Sequence, residues 1–280
     1  MTAATQTLIA PNLGLHFRRS PDIPHRPLSP PPPPLRCRNL AASKKLRSSA
    51  RESYFMELPL LPFQPDEVLV PSECKTLHLY EARFLALLEE SLDRREKFFV
   101  HLVLHPILGS RSARGASFAA RYGCLVCIEN VERLDIGALV SIRGIGRVSV
   151  TKLQQMEPYL RGLVVPLRDN VPNCESEKFV TQPSKDEPLQ TPHQNSLKWA
   201  EREIVDCNKA FIPEVAERLS FAALQPVVGS TASELLELQR EKMFAMDSKN
   251  TYERLTIVTD SIKQKIALVA AKLAIQSLEL

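Results

Sequence analysis

The sequence predicts an α+β protein in which a small β-barrel with one packed helix is followed by a C-terminal helical subdomain. Between Glu57 and Val165, short apolar runs alternate with turn residues, as in a barrel of about six short strands. One segment within this region, Tyr80 to Leu92, has apolar residues at helical spacing instead. From Leu197 onward the helical spacing continues to the end of the chain, which predicts the second subdomain.

The composition indicates a globular core with a basic leader. The chain has 280 residues, of which 44% are hydrophobic, and a net charge of +4. Residues 1–51 contain nine Lys or Arg and one acid, Asp22, so the rest has 27 basic (36 minus 9) and 31 acidic (32 minus 1) residues. The remainder is therefore mildly acidic, which argues against a broad nucleic-acid surface.

The leader, residues 1–51, is predicted to be a disordered, removable transit peptide. It is rich in Ser, Ala and Arg and contains the proline run 30–34, which cannot lie inside a helix. A mitochondrial leader has early arginines, but the first one here is Arg18, so we expect a chloroplast, with the mitochondrion as the alternative. A Pro-rich tail that stays in the cytosol is a further possibility, and a fluorescent-protein fusion of residues 1–51 distinguishes these destinations.

Neither a membrane span nor a disulfide scaffold is expected. No window approaches the roughly 18 to 20 uncharged apolar residues that cross a bilayer. The six cysteines, at positions 37, 74, 124, 127, 174 and 207, are sparse, which favours a reducing compartment.

The strands are predicted in order along the chain. The first segment, Glu57 to Pro71, is apolar but broken by four prolines, so it is expected at an edge or corner and not as a central strand. Gly144 and Gly146 are expected to bend a later strand. The other predicted strands are Phe98–Leu104, Tyr122–Val131, Leu139–Ile142, a run around Val148–Val150, and Leu160–Val165.

Three parts follow the leader. Residues 52–168 are assigned to the β domain, the Pro-containing and non-periodic residues 169–195 to a flexible linker, and residues 196–280 to the helical subdomain. Thr231 with Glu234 matches a capping box, and Asn250 is a good cap for a final helix of 28 residues, roughly 42 Å long. An apolar stripe runs along that helix, and it is interpreted as core in preference to a docking face: Leu255, Val258, Ile262, Ile266, Val269 and Leu273.

Several motifs in order resemble the N-terminal substrate-binding domain of the Lon ATP-dependent protease. They are Leu58–Pro62, Pro71, Leu79–Phe84, Tyr122–Gly123, Val140–Gly144 with Arg147, and Glu157–Leu160. The resemblance implies a PUA-like β pseudo-barrel, then a helical subdomain, used to capture proteins. The chain departs from whole Lon proteases because it has neither a G-x-x-x-x-G-K-[ST] loop nor room for a Ser and Lys protease domain, which predicts a stand-alone member.

The resemblance leads to the expectation of a non-enzymatic recognition or adaptor module linked to organelle proteolysis or quality control. Its expected partners are polypeptide substrates or a protease or chaperone subunit, with no cofactor and no metal. The alternatives are a PUA-like RNA-binding protein, motivated by arginines after Gly109, and an enzyme of unrecognised type, for which no catalytic motif is visible.

Five residues are proposed to contact the partner, which would bind in extended form at a sheet edge. Leu60 and Phe63 come from the first segment, and Arg111, Arg114 and Arg121 come from the basic loop, which is alternatively a solvated hairpin tip. Cys124 and Cys127 form a CxxC, but in a strand these positions face opposite sides, which favours structural cysteines over a redox or zinc half-site. His78, His101 and His105 have no carboxylates at metal-ligand spacing and are interpreted as ordinary strand or surface residues.

Overall fold

The computed structural model describes residues 6–7, 55–94, 97–106, 118–170, 191–204, 207–227 and 229–278. Its strands are β1 (Gln6–Thr7), β2 (Met56–Phe63), β3 (Cys74–Leu79), β4 (Phe98–Pro106), β5 (Phe118–Arg133), β6 (Ala138–Gln155) and β7 (Leu160–Pro166). Its helices are α1 (Ala82–Asp93), α2 (Pro192–Glu201), α3 (Val215–Ala222), α4 (Ala232–Asp247) and α5 (Thr251–Leu278), with a short 3₁₀ helix at Lys209–Phe211. The mixed α+β class and the predicted helix after Tyr80 are confirmed.

Five strands close into a ring. The sheet order is β1-β3-β6-β5-β4-β2-β7, and β6 also pairs with β7. Closure is possible because β6 is long: its first half pairs with β3, and its second half, from Val148, pairs with β7. Strand β3 extends the sheet outside the ring, and the two-residue strand β1 pairs with it in parallel. The other leader residues lie outside the described ones, so the targeting assignment stays a prediction.

The expected bend in β6 is present. Leu125 pairs with Gly146 and the next residue, Val126, pairs with Gly144, so Ile145 is a bulge between the two glycines. A Cβ on Gly146 would lie 2.6 Å from the carbonyl oxygen of Phe211, which is part of the 3₁₀ helix. The bulge therefore lies where the 3₁₀ helix packs directly against the strand.

Strand β2 corrects the expectation of an edge segment, since it lies between β7 and β4. Its two ladders overlap only at Leu60: Met56–Leu60 pairs with β7, and Leu60–Phe63 pairs with β4. Pro59 and Pro62 are three residues apart, so their ring nitrogens, which carry no hydrogen, face opposite sides of the strand. Each proline can thus direct its nitrogen away from the ladder in which it takes part.

The core is formed jointly by the barrel and the helices. One buried cluster combines Leu61 and Phe63 of β2 with Phe221, Leu238 and other residues of the helical part. A second cluster combines Leu58 and Leu60, on the opposite face of β2, with Phe211 and its neighbours. Both clusters therefore contain residues from before and after the predicted linker.

The linker region is partly outside the described residues, which exclude 171–190. At its start, Asn170 donates a backbone hydrogen bond to the carbonyl oxygen of Lys249. At its end, α2 begins at Pro192, four residues before the predicted boundary, because Thr191 and Gln194 form a reciprocal capping box. The predicted caps at Thr231 and Asn250 are also present: Thr231 exchanges hydrogen bonds with Glu234, and Asn250 Oδ1 accepts from the backbone N–H groups of Tyr252 and Glu253.

Candidate functional site

The structure places two of the five predicted partner-binding residues in the core. Leu60 is 0% exposed and Phe63 is 4% exposed. Phe63 stacks on the ring of His101 with centroids 3.6 Å apart, and Leu60 belongs to the second buried cluster. We therefore correct the interpretation of these two side chains as a peptide-contact surface, since they face the core on a strand paired on both sides.

The basic loop lies mostly outside the described residues. Arg111 and Arg114 are in the segment that the structure does not describe, and Arg121 belongs to β5 but its side chain is also outside the description. These three residues stay a prediction.

Cys124 and Cys127 face opposite sides of β5. The Cys124 side chain belongs to the first buried cluster, whereas Cys127 packs against the second. Burial raises the pKa of both thiols, that of Cys127 to about 11, so both are protonated at neutral pH. This geometry does not bring the two sulfur atoms together around one ion.

His101 is a buried strand residue. Burial and the nearby charges of Lys75 and Lys242 hold its pKa well below the ordinary value, so the ring is neutral. Within the described residues, no group of three or more His, Cys, Asp or Glu has metal-binding geometry. The ring of His101 packs on Phe63, which gives it a structural place.

A buried ionic cluster joins the barrel to the helices. It consists of Arg147 on β6, Asp169 after β7, Glu217 on α3 and Arg254 on α5, and Asp169 pairs with both arginines. Arg147 also lies 2.9 Å from Glu217 and donates to the carbonyl oxygen of Ser248 at 2.6 Å. The two arginines are 2% and 1% exposed. A second buried pair, Lys242 of α4 with Glu73, joins the same two parts at 2.5 Å.

The pKa values of the two carboxyl groups in the cluster are shifted in opposite directions. Burial raises the pKa of Glu217, against the opposing charge of Arg147. Burial also favours the protonated form of Asp169, but hydrogen bonds from Arg254 and Thr251 outweigh it and lower the Asp169 pKa below its ordinary value. The cluster contains two arginines and two carboxyl groups, and it connects β6 and the segment after β7 with α3 and α5. We therefore interpret it as structural.

An open groove lies between α4, the segment 225–227 before it, and residues 261–273 of α5. Its volume is about 310 Å³. Its wall is mainly apolar, formed by Pro226, Val227, Leu238, Leu268, Val269 and Leu273. The amide of Gln225 also lines it, and the Nε2 atom of that amide is buried with no hydrogen-bond partner among the described residues. The groove therefore combines apolar surface with an unused polar group.

Two ion pairs cross the groove. Lys272 Nζ lies 2.9 Å from Glu234, and Lys265 Nζ lies 3.0 Å from Glu241. The two lysines are seven residues apart on α5, and the two glutamates are seven residues apart on α4 in the reverse order, as expected for antiparallel helices. The hydrogen bonds from Lys272 and from the Thr231 backbone lower the pKa of Glu234 to about 2, so the Glu234 carboxylate is ionised at neutral pH.

The apolar stripe of α5 is buried in its first half only. Val258 is 4% exposed, but Ile266 is 64% and Leu273 is 60% exposed. We call residues 266–278 the free half of α5. The interpretation of the whole stripe as core is therefore wrong for the free half, because no described part of the chain covers it. None of the described helices is long and apolar enough to span a membrane.

Sequence reasoning missed the groove for an identifiable reason. Its α4 side, formed by Glu234, Glu237, Leu238 and Glu241, has one apolar residue among three acids, and the apolar residues of its α5 side are typical of ordinary core. The available signal was the sequence 266–275, IALVAAKLAI, which is apolar on every side of the helix with a single charge. A helix apolar all round is normally enclosed, so its presence at the surface marks a contact region.

Comparison with known proteins gives one family. Residues 57–276 match the family model described as the ATP-dependent protease La (LON) substrate-binding domain. Among solved structures, a Lon N-terminal domain protein from Xanthomonas campestris is similar, with 21% identity, a TM-score of 0.41, and coverage of 73% of this chain and 98% of that one. The N-terminal domain of a Mycobacterium avium complex Lon protease is 13% identical, with a TM-score of 0.36 and coverage of 73% and 97%. The search of curated proteins found no match.

Proposed function

Because the chain belongs to the family of the ATP-dependent protease La (Lon) substrate-binding domain, we propose that it is a non-catalytic module that recognises unfolded polypeptides through the α4–α5 groove. It would act as an adaptor that delivers such segments to a protease or chaperone subunit of an organelle. The RNA-binding alternative rests on loop arginines outside the described residues, so no structural observation favours it.

The observation that carries the proposal is the exposed apolar wall of the groove. Leu268, Val269 and Leu273 are 44%, 39% and 60% exposed and face one open space together with the buried Leu238. Contiguous apolar surface of this kind is uncommon on a well-packed protein unless a partner covers it. An unfolded chain is a chemically suitable partner, since its apolar side chains are exposed too and both surfaces lose contact with water on binding.

The polar groups at the groove are compatible with binding of peptides of many different sequences. Gln225 lines the groove, and its buried Nε2 has no acceptor among the described residues, which a peptide carbonyl oxygen would supply in the proposed complex. The rim ion pairs, Lys272 with Glu234 and Lys265 with Glu241, are long, flexible side chains that can move apart around a bound segment. Recognition would thus depend on apolar content.

The test is a binding measurement with a matched peptide pair. A fluorescein-labelled 15-residue peptide with several leucines is titrated with the full chain, and fluorescence anisotropy is compared with a peptide in which serines replace the leucines. We expect saturable binding of the leucine peptide and at least tenfold weaker binding of the serine peptide. Full burial of one leucine side chain contributes about 1.5 to 3 kcal/mol, and partial burial contributes less.

Variants locate the site. The double substitution Leu268→Ser and Val269→Ser should weaken binding of the leucine peptide about tenfold or more. The control Ile136→Ser changes a side chain that is 75% exposed at a turn of the barrel, and it should bind normally. Unchanged binding by the groove variant, or equal binding of both peptides, would contradict the proposal.

A further inference from the structure

Strand β3 forms an open edge of the described sheet. It lies outside the ring and pairs with β6 along all six of its residues, Cys74–Leu79. On its other side the described residues contribute only β1, which pairs in parallel with Leu77 and His78. Backbone N–H and C=O groups at such an edge are a template for a further strand. Within the described part of the chain, four of the six β3 residues therefore have no paired strand on that side.

The core holds this edge in place. Leu77 and Leu79 are 0% exposed and belong to the first buried cluster. Just before the strand, Ser72 donates a backbone hydrogen bond to the carbonyl oxygen of Gly144 at 2.9 Å, and Gly144 donates to that of Glu73 at 2.9 Å. The outer backbone groups of β3 are thus already extended, so mainly the incoming segment loses conformational freedom on pairing.

No free charge of β3 protects the edge. Natural edge strands are commonly blocked by a charged side chain, and lysine is the usual choice. Lys75 is the only lysine, arginine or acid of β3, and its Nζ lies 3.2 Å from Glu67 and 5.0 Å from the ring centroid of Phe63. Its charge is therefore paired on the core side of the strand, which leaves the edge suited to an uncharged segment.

The N-terminus of the same chain contains a segment of suitable length and composition. Residues 1–10, MTAATQTLIA, are the longest stretch of the leader without proline, Lys, Arg, Asp or Glu, and Pro11 follows. The β1 register pairs Gln6 with Leu77 and Thr7 with His78. Extended by three residues toward the N-terminus and by one toward the C-terminus, this register sets residues 3–8 opposite the whole of β3. The segment ends before the proline, which has no N–H to donate to a ladder.

We infer that the outer edge of β3 is a strand-addition site and that residues 3–8 of the same chain occupy it for as long as the leader is attached. The leader then covers a sheet edge, in addition to the targeting role predicted from its composition. Tethering favours the pairing, because a covalently attached segment has an effective concentration on the order of millimolar. This contact does not depend on the proposed groove function.

Removal of the leader uncovers the edge. The same backbone groups of β3 are then available to an extended segment of a captured polypeptide, because main-chain pairing does not require particular side chains. This consequence rests on the proposed function. The chain would then offer two contacts to a polypeptide, the groove for apolar side chains and the β3 edge for the backbone.

Amide hydrogen exchange of the full chain, followed by mass spectrometry, tests the inference. Alternate residues of β3 direct their N–H groups toward β6 and the others direct theirs outward, so only the outward amides depend on the leader. One of two consecutive strand residues donates to the neighbouring strand, so the double substitution Gln6→Pro and Thr7→Pro removes a donor in either case. We expect it to speed the exchange of the outward β3 amides at least tenfold.

Two controls accompany the exchange measurement. The double substitution Leu13→Pro and Gly14→Pro makes the same chemical change in the leader outside residues 3–8, and β3 should exchange as in the wild type. Strand β4 pairs with β2 and β5 and has no contact with the leader segment, so it should exchange at one rate in all three proteins.

A cross-link tests the register. Cys74 is a free, exposed cysteine, and the extended register sets it opposite residue 3. In a Cys37→Ser background, which removes the cysteine of the leader, Ala3→Cys should form a disulfide with Cys74 under mild oxidation. Neighbouring strands are about 4.8 Å apart, which is within the range of Cα separations that a disulfide spans. The matched variant Leu13→Cys should cross-link to Cys74 at least fivefold more slowly.

The outcomes are separate from those of the groove experiment. Equal exchange of β3 in the wild type and the variant with prolines at 6 and 7 would overturn the inference, as would equal cross-linking from positions 3 and 13. None of these substitutions changes a residue that lines the groove. If the leucine peptide fails to bind while β3 exchange responds as expected, the edge contact stands and the proposed function is contradicted.

Discussion

The two halves of α5 have the same apolar periodicity but opposite environments. In the first half, Val258 and Arg254 are enclosed by residues of α3 and α4 and by Asp169, which follows β7. In the free half, Ile266 and Leu273 continue the same stripe into solvent. The difference teaches that a periodic stripe identifies an apolar face of a helix but does not identify what covers it.

The largest expected loss of stability comes from a substitution in the enclosed first half of α5. Arg254→Met removes the cation that pairs with Asp169 and donates to Ser220 Oγ at 2.6 Å, and it leaves a buried carboxylate with one arginine fewer. We expect a loss of about 3 to 5 kcal/mol in the free energy of unfolding, measured by urea denaturation followed by circular dichroism. The control Arg240→Met, at a largely exposed pair with Glu237, should cost under about 1 kcal/mol. Similar costs for the two variants would contradict the structural role of the cluster.

A matched pair of truncations compares the halves directly. Val258→Ala should lower the free energy of unfolding by about 2 kcal/mol, because it leaves a cavity in the first buried cluster. Leu273→Ala should change it by no more than about 0.5 kcal/mol, because its side chain is 60% exposed. Urea denaturation followed by circular dichroism measures both variants. A large cost for Leu273→Ala would mean that the free half is covered within the chain.

The smallest effect concerns the pH dependence of the ionic cluster. Since the Asp169 pKa is lowered, its contribution to stability is present above its ordinary value of 3.8 and is lost as pH falls through the lower folded value. Since the Glu217 pKa is raised, its contribution is present below its ordinary value of 4.5 and is lost as pH rises through the higher folded value.

Two variants separate these contributions. The stability advantage of the wild type over Asp169→Asn should grow as pH rises through the acidic range, whereas its advantage over Glu217→Gln should shrink above pH 4.5. Urea midpoints between pH 3 and 7 measure both. Slopes of the same sign for the two variants would show that one of the two carboxyl groups has been assigned the wrong direction.

Much of the barrel could be predicted because its signals are local. Alternating apolar residues, turn glycines and the capping residues Thr231 and Asn250 each determine structure within a few positions. The placement of β2 could not be predicted in this way. Its prolines argued for an edge, and only the staggered pairing with β7 and β4, which depends on distant residues, allows a central position.

The candidate site was harder to predict, because it consists of apolar side chains that the fold leaves exposed, and exposure depends on tertiary packing. Leu60 and Phe63 belong to the proline-broken first segment, which is expected at an edge or corner, but the ring closure buries them. Arg147 was noted only as part of a motif, although its four partners lie 22 to 101 residues further along the chain. Neither the closure nor those partners leave a periodic trace in the sequence.

The only tryptophan of the chain, Trp199 of α2, stands between two guanidinium groups. Arg143 of the barrel lies 5.7 Å from the ring centroid and Arg218 of α3 lies 6.0 Å from it. Cation–π contacts of this kind depend steeply on distance and on desolvation. The indole emission spectrum is therefore a label-free optical reporter of whether α2 packs on the barrel, and a red shift in it would register the separation of α2 from Arg143 and its exposure to water.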